Sequence, residues 1–171
     1  MPVFRRSIWN PPKEYDLRSQ DFTRAAVKVI SRLGWVDAAK KQAPPLAAKA
    51  LIAIGRAIDR LPRAREVKSE QIESYLQEGI KHLGAGIPVL VCMLAVKTSG
   101  DYPPIDRKVT TGLLALDLVT ATELKSLNGK SISKFSRVYV ATVIPAWIKI
   151  RKLRSPQDAD EYWASSGQAR R

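Results

Sequence analysis

Short runs of apolar residues repeat every three or four positions along this chain, and a glycine or proline closes nearly every run. That period is the signature of one buried helix face, and the breakers keep each helix short. Asp21 can cap a helix whose face is Ala25, Ala26, Val29, Ile30 and Leu33, stopped by Gly34. Pro44 and Pro45 open a second helix from Leu46 to Leu61, with Leu51, Ile54 and Ile58 in step and Pro62 at its end. Ser69 is placed to cap a third, through Ile72, Tyr75, Leu76 and Ile80 to about Leu83. Gly84-Ala85-Gly86 makes a tight turn into an apolar fourth helix from Ile87 to Val96.

A loop from Lys97 to Ile105 follows, and Asp106 then precedes a helix from Arg107 to about Leu118. Thr120 or Thr122 opens a short helix. Ser133 is read as the cap of a longer one that passes Pro145 toward Lys152 with a kink. Ser155-Pro156 starts the last, which carries Tyr162 and Trp163. Only Val138 to Val143 has an ambiguous strand pattern. The expected class is all-α, a compact multi-helix domain. Residues 1–20, broken by Pro2, Pro11 and Pro12, read as an irregular arm anchored by Ile8 and Trp9; residues 21–171 read as one domain. A chain of 171 residues, 45% apolar, is long enough for one sizeable core.

Charge narrows the partners. Lys and Arg number 29 against 16 Asp and Glu, a net charge of +13. Between Leu124 and Gln157 lie Lys125, Lys130, Lys134, Arg137, Lys149, Arg151, Lys152 and Arg154, with no acidic residue. A solvated helix face mixes both signs, so a long one-sign segment points to a polyanion, foremost duplex nucleic acid. Arg56, Arg60, Arg63 and Arg65 form a second basic stretch. A membrane surface is a weaker candidate. The longest apolar run, Ile87 to Val96, is too short to span a bilayer and reads as a buried core segment. The first residues show no secretory pattern, so a cytoplasmic protein is expected, nucleoid-associated when bound to DNA. Cys92 is the only cysteine and His82 the only histidine, which excludes an internal disulfide and offers no zinc or iron–sulfur cluster.

Leu83, Gly84 and Gly86 followed by an apolar helix, then Pro104 and Asp106 heading another helix with Val109 behind, form a recognisable series. It resembles the helix–hairpin–helix DNA glycosylase superfamily, which includes 8-oxoguanine, adenine and endonuclease III-type enzymes. The segment Ser155 to Gly167 is more weakly similar to the closing helix of small members, where an aspartate and a tryptophan dock the C-terminus. The resemblance implies a fold with a helix–hairpin–helix motif and a grip on duplex DNA through Gly84, Ala85 and Gly86; the basic segment adds Lys134, Arg137, Arg151 and Lys152 as phosphate contacts, and Arg107 and Lys108 beside Asp106 are further candidates. It implies Asp106 as the catalytic carboxylate. Breaking an N-glycosidic bond builds positive charge on the sugar, and a nearby carboxylate stabilises it and can activate water. The base must first leave the stack, and Tyr102, four residues before Asp106, is the candidate to receive it.

The series departs from the bifunctional members at one place. They carry a Schiff-base lysine two residues after the second hairpin glycine; here that residue is Pro88. Lys97 or Lys108 could bring an amine from elsewhere, though phosphate contact is the commoner role. The expectation is therefore a monofunctional glycosylase acting in DNA repair or in defence against modified foreign DNA. It needs no cofactor and no obligate protein partner, with a monovalent or divalent cation at the hairpin left open. Its rival is a non-catalytic helix–hairpin–helix DNA-binding protein. An RNA- or ribosome-associated role lacks any RNA-binding signature in the sequence.

Overall fold

Breakers and caps set the helices much where their chemistry dictates. The computed structural model describes residues 44–84 and 86–168; the expected arm and the helix after Asp21 lie outside them. Helix α1 (Pro44–Asp59) begins at the proline pair, since proline has no N–H to lose in a first turn. A 3₁₀ turn (Ala64–Glu66) leads to α2 (Ser69–Leu83), preceded by Lys68, whose N–H donates to Gln71 Oε1 at 2.9 Å. Ser69 is thus the first helical residue rather than the cap. Helix α3 (Ile87–Lys97) is apolar on every side, and its residues Leu90 to Val96 are all buried, as expected of a helix running through a core.

Helix α4 (Arg107–Ala115) ends earlier than its apolar pattern suggests. The N–H of Leu118 returns to Leu113 O and that of Asp117 to Leu114 O, a Schellman turn with Asp117 at φ 56°. A left-handed residue with a Cβ is strained by roughly 1–2 kcal/mol. Asp117→Gly is accordingly expected to raise stability by about 0.5–1 kcal/mol, read as a shift of the urea midpoint with an unchanged slope.

Helix α5 (Ala121–Asn128) opens with a reciprocal box: Thr120 N–H donates to Glu123 Oε2 at 2.8 Å and Glu123 N–H to Thr120 Oγ1 at 3.2 Å. The Thr120 amide, with a second bond from the Thr142 hydroxyl, holds the Glu123 carboxyl below its ordinary value. Helix α6 (Ile132–Val138) is capped by Ser131, not Ser133; Ser131 Oγ accepts from Lys134 N–H.

The chain then continues without a break through a π turn (Tyr139–Val143) into α7 (Ile144–Arg151). Pro145 explains the turn. It offers no N–H to the carbonyl four residues back, and its ring crowds that carbonyl. Widening the spiral so that Ile144 N–H reaches Tyr139 O relieves both problems. The expected kink is a π turn, and the ambiguous Val138 to Val143 run is helical. Ser155 caps the last helix, α8 (Pro156–Ser166), by accepting from Asp158 N–H at 3.1 Å. Every described element is helical, and no strand is present among the described residues.

One core joins these helices. Helix α2 packs on α1, α3 and the α6–π segment, while α4 packs on α5 and α8. Helices α4 and α8 meet tightly at Gly112, where an added Cβ would overlap the Trp163 carbonyl oxygen. Trp163 and Trp147 meet at 5.1 Å between ring centroids, both buried, and tie α8 to α7. No single helix among the described residues is long and apolar enough to cross a membrane.

Candidate functional site

The loop that delivers Asp106 is fixed from several sides. Helix α3 ends in a second Schellman turn, with Ser99 at φ 53° and Gly100 N–H bonded to Ala95 O. From there the chain is tied to other elements by hydrogen bonds in both directions. The Trp147 indole N–H donates to Gly100 O at 2.8 Å. The Tyr139 hydroxyl donates to Pro103 O at 2.7 Å, and the Tyr102 hydroxyl to Pro62 O at 2.7 Å. Asp101 Oδ2 accepts from Ala64 N–H at 2.9 Å. Tyr102, Pro103, Pro104 and Ile105 are buried, and Asp106 follows, half-buried.

Asp106 heads α4. Its Oδ1 accepts from the amides of Lys108 and Val109, both at 2.9 Å, which makes it an N-cap. The carboxylate thus lies at the positive end of the α4 dipole. Arg107 is exposed and Lys108 half-buried beside it. The result is a carboxylate fixed by its own helix on a loop fixed by the core, bordered by two cations.

Tyr139, the first residue of the π turn, holds Pro103, the anchored loop residue nearest to Asp106 in the chain. Burial raises its hydroxyl well above the ordinary tyrosine value, so it stays a neutral donor. Tyr139→Phe leaves the Pro103 carbonyl buried without its donor, at an expected cost of about 1–3 kcal/mol in urea unfolding. If Asp106 acts on DNA, the same change should slow turnover more than it weakens binding.

Helices α2 and α3 meet at a sharp corner. Gly84 adopts φ 64°, ψ 16°, a left-handed conformation that glycine takes without strain, and its N–H closes α2 on Ile80 O at 2.8 Å. The chain bends by 111° between α2 and α3. Gly86 precedes α3 without a side-chain cap, and Pro88 stands exposed in its first turn. The first-turn amides of α3 therefore have no partner within the helix. Ala85 lies outside the described residues.

The remaining selected residues fall on two patches. Lys134 and Arg137 are exposed on α6, where Arg137 donates to Ser133 Oγ at 3.2 Å. They belong to a solvent-facing stripe, Lys130, Lys134, Arg137, Ala141, Pro145, Lys149 and Lys152, that runs the length of the α6–π–α7 spiral. Arg151 is half-buried at the end of α7, its guanidinium bonded to Arg154 O at 2.7 Å. Burial lowers its proton affinity and nearby Asp101 opposes that shift.

Two sequence readings change here. Tyr102 is only 1% exposed with its hydroxyl committed to Pro62, so it packs the loop against the core and presents no face for an extruded base. Lys97 pairs with Asp59 at 2.6 Å, which ties α3 to α1 and engages the amine. Cys92 is buried, as its place in an apolar helix suggested.

A cleft of about 270 Å³ opens between α1 and α2, walled by Ala57, Leu61 and Tyr75 and bridged by the Arg60–Glu78 ion pair at 3.0 Å. None of the selected residues lines it. Sequence reasoning had not singled out Tyr139 or assigned Trp147 a specific partner; their only signal is an aromatic in an apolar helix, which core packing explains equally well.

Comparisons with family models, curated proteins and solved structures return no match.

Proposed function

We propose that the protein is a monofunctional DNA glycosylase, with Asp106 as the carboxylate that stabilises the cationic sugar and directs water to it. The observation that carries this reading is the mounting of Asp106. It sits at a helix start, on a loop clamped through Trp147, Tyr139 and Asp101, and Arg107 and Lys108 follow it directly in the chain. Electrostatic catalysis needs such a charge fixed before the reaction begins. Gly84, Ala85 and Gly86 act as a helix–hairpin–helix motif: the 111° corner presents the α3 amides and dipole to a phosphate. Lys134, Arg137, Lys149 and Lys152 extend the phosphate grip along the stripe. With Pro88 in place of a hairpin lysine and Lys97 paired to Asp59, the reaction proceeds through water, without a Schiff base.

Incubation with duplexes that each carry one altered base tests this. The expected product is an abasic site, revealed as strand cleavage that needs alkali. The panel includes 8-oxoguanine, uracil, 3-methyladenine and hydroxymethylcytosine with its glucosylated form. Tight, salt-sensitive duplex binding without excision of any base would instead favour the non-catalytic DNA-binding reading, which Pro88 also fits.

A further inference from the structure

The turn between α7 and α8 holds the most exposed large apolar side chain among the described residues. Leu153 is 88% exposed, whereas Ile52, Tyr162 and Leu118 reach 43%, 37% and 36%. A single surface leucine is ordinary, but this one is mounted. The N–H groups of Leu153 and Arg154 both bond Ile150 O, at 3.0 and 3.1 Å. The Arg151 guanidinium clasps Arg154 O at 2.7 Å, and the Arg154 guanidinium lies 4.6 Å above the Tyr162 ring. Ser155 then starts α8 at once. The tip is therefore stiff, apolar at its point and cationic on both sides.

We propose that Leu153 is a wedge that enters the base stack of duplex DNA while Lys152 and Arg154 hold the phosphates on either side. The inference rests on the DNA-binding reading above. Apolar side chains that part a base step and kink the duplex are set among phosphate-binding cations in this way, and a wedge exposed in advance loses little freedom on insertion. The stripe of lysines on α6 and α7 ends at this tip, so a duplex lying along it brings its groove to Leu153. A bilayer fits less well, because anchoring on lipid takes a broad apolar face, and Leu153 is flanked by Lys152 and Arg154.

The test uses the full chain and a duplex with 2-aminopurine at its centre, whose fluorescence rises when its stack opens. Wild type is expected to give the rise. Leu153→Ala, at an exposed position that leaves the fold intact, should abolish it and weaken binding on the order of ten-fold, with an unchanged salt slope. Lys152→Ala should keep the rise and lower the salt slope by about one. An undiminished rise in Leu153→Ala overturns the wedge, as does salt-dependent wild-type binding with no rise at all; both leave DNA binding standing. Failure of wild type to bind any duplex overturns the DNA-binding reading and the wedge with it. Leu153-dependent capture by phosphatidylserine vesicles without duplex unstacking assigns the tip to lipid instead, against the proposal.

Discussion

Replacing Gly112 with alanine is expected to cost about 3 kcal/mol or more of stability, the largest loss from adding one methyl anywhere in the described core. The added Cβ would overlap the Trp163 carbonyl oxygen. The obstacle is backbone within a helix, so no rotamer change relieves it, and α8 must move away from α4. That movement pulls Trp163 from Trp147, whose indole N–H holds Gly100 on the Asp106 loop. Denaturant unfolding followed by tryptophan fluorescence measures the loss. A change below about 1 kcal/mol would show that α8 can slide, and that the loop does not depend on its docking.

The second large effect is chemical. Asp106→Asn should reduce base excision by about 10²–10³-fold while leaving stability almost unchanged, because asparagine caps a helix as well as aspartate does. Asp106→Ala loses the bonds to the amides of Lys108 and Val109 as well, and should cost about 1 kcal/mol besides the activity. The pair separates the observed capping from the proposed catalysis. Stability alone would fall in the alanine variant if the side chain were only a cap, and the asparagine variant would then excise at the wild-type rate.

Local chemistry was legible in the sequence. Pro44, the start offered by Thr120 or Thr122, the Ser155–Pro156 start and the glycine corner at Gly84 each act within a turn of their own position, and the structure places a helix boundary at Pro44, Thr120, Ser155 and Gly84. Asp106 as a helix head was equally readable, because it needs only the amides that follow it. The clamp on its loop was not. Trp147 and Gly100 are 47 residues apart, and Tyr139 and Pro103 are 36 apart; their bonds end on backbone carbonyls that look alike in any sequence. Tyr102 was misread for the same reason, since its partner Pro62 is 40 residues away. Gly112 gave no sign because the carbonyl that excludes a side chain belongs to α8. Ser131 and Ser133 are equivalent caps by type; the helix begins after Ser131, with Phe135 buried one turn in. Pro145 announced a distortion, but the π turn that absorbs it depends on packing around Tyr139, which is fully buried.

The most direct measurement of the central claim is single-turnover excision by wild type and Asp106→Asn on the altered-base duplexes, with binding to the same duplexes measured in parallel. Wild type is expected to produce alkali-labile sites at one or more altered bases, and Asp106→Asn to bind those duplexes with similar affinity but yield little product. Equal excision by both proteins, or cleavage without alkali through a trapped lysine adduct, would contradict it.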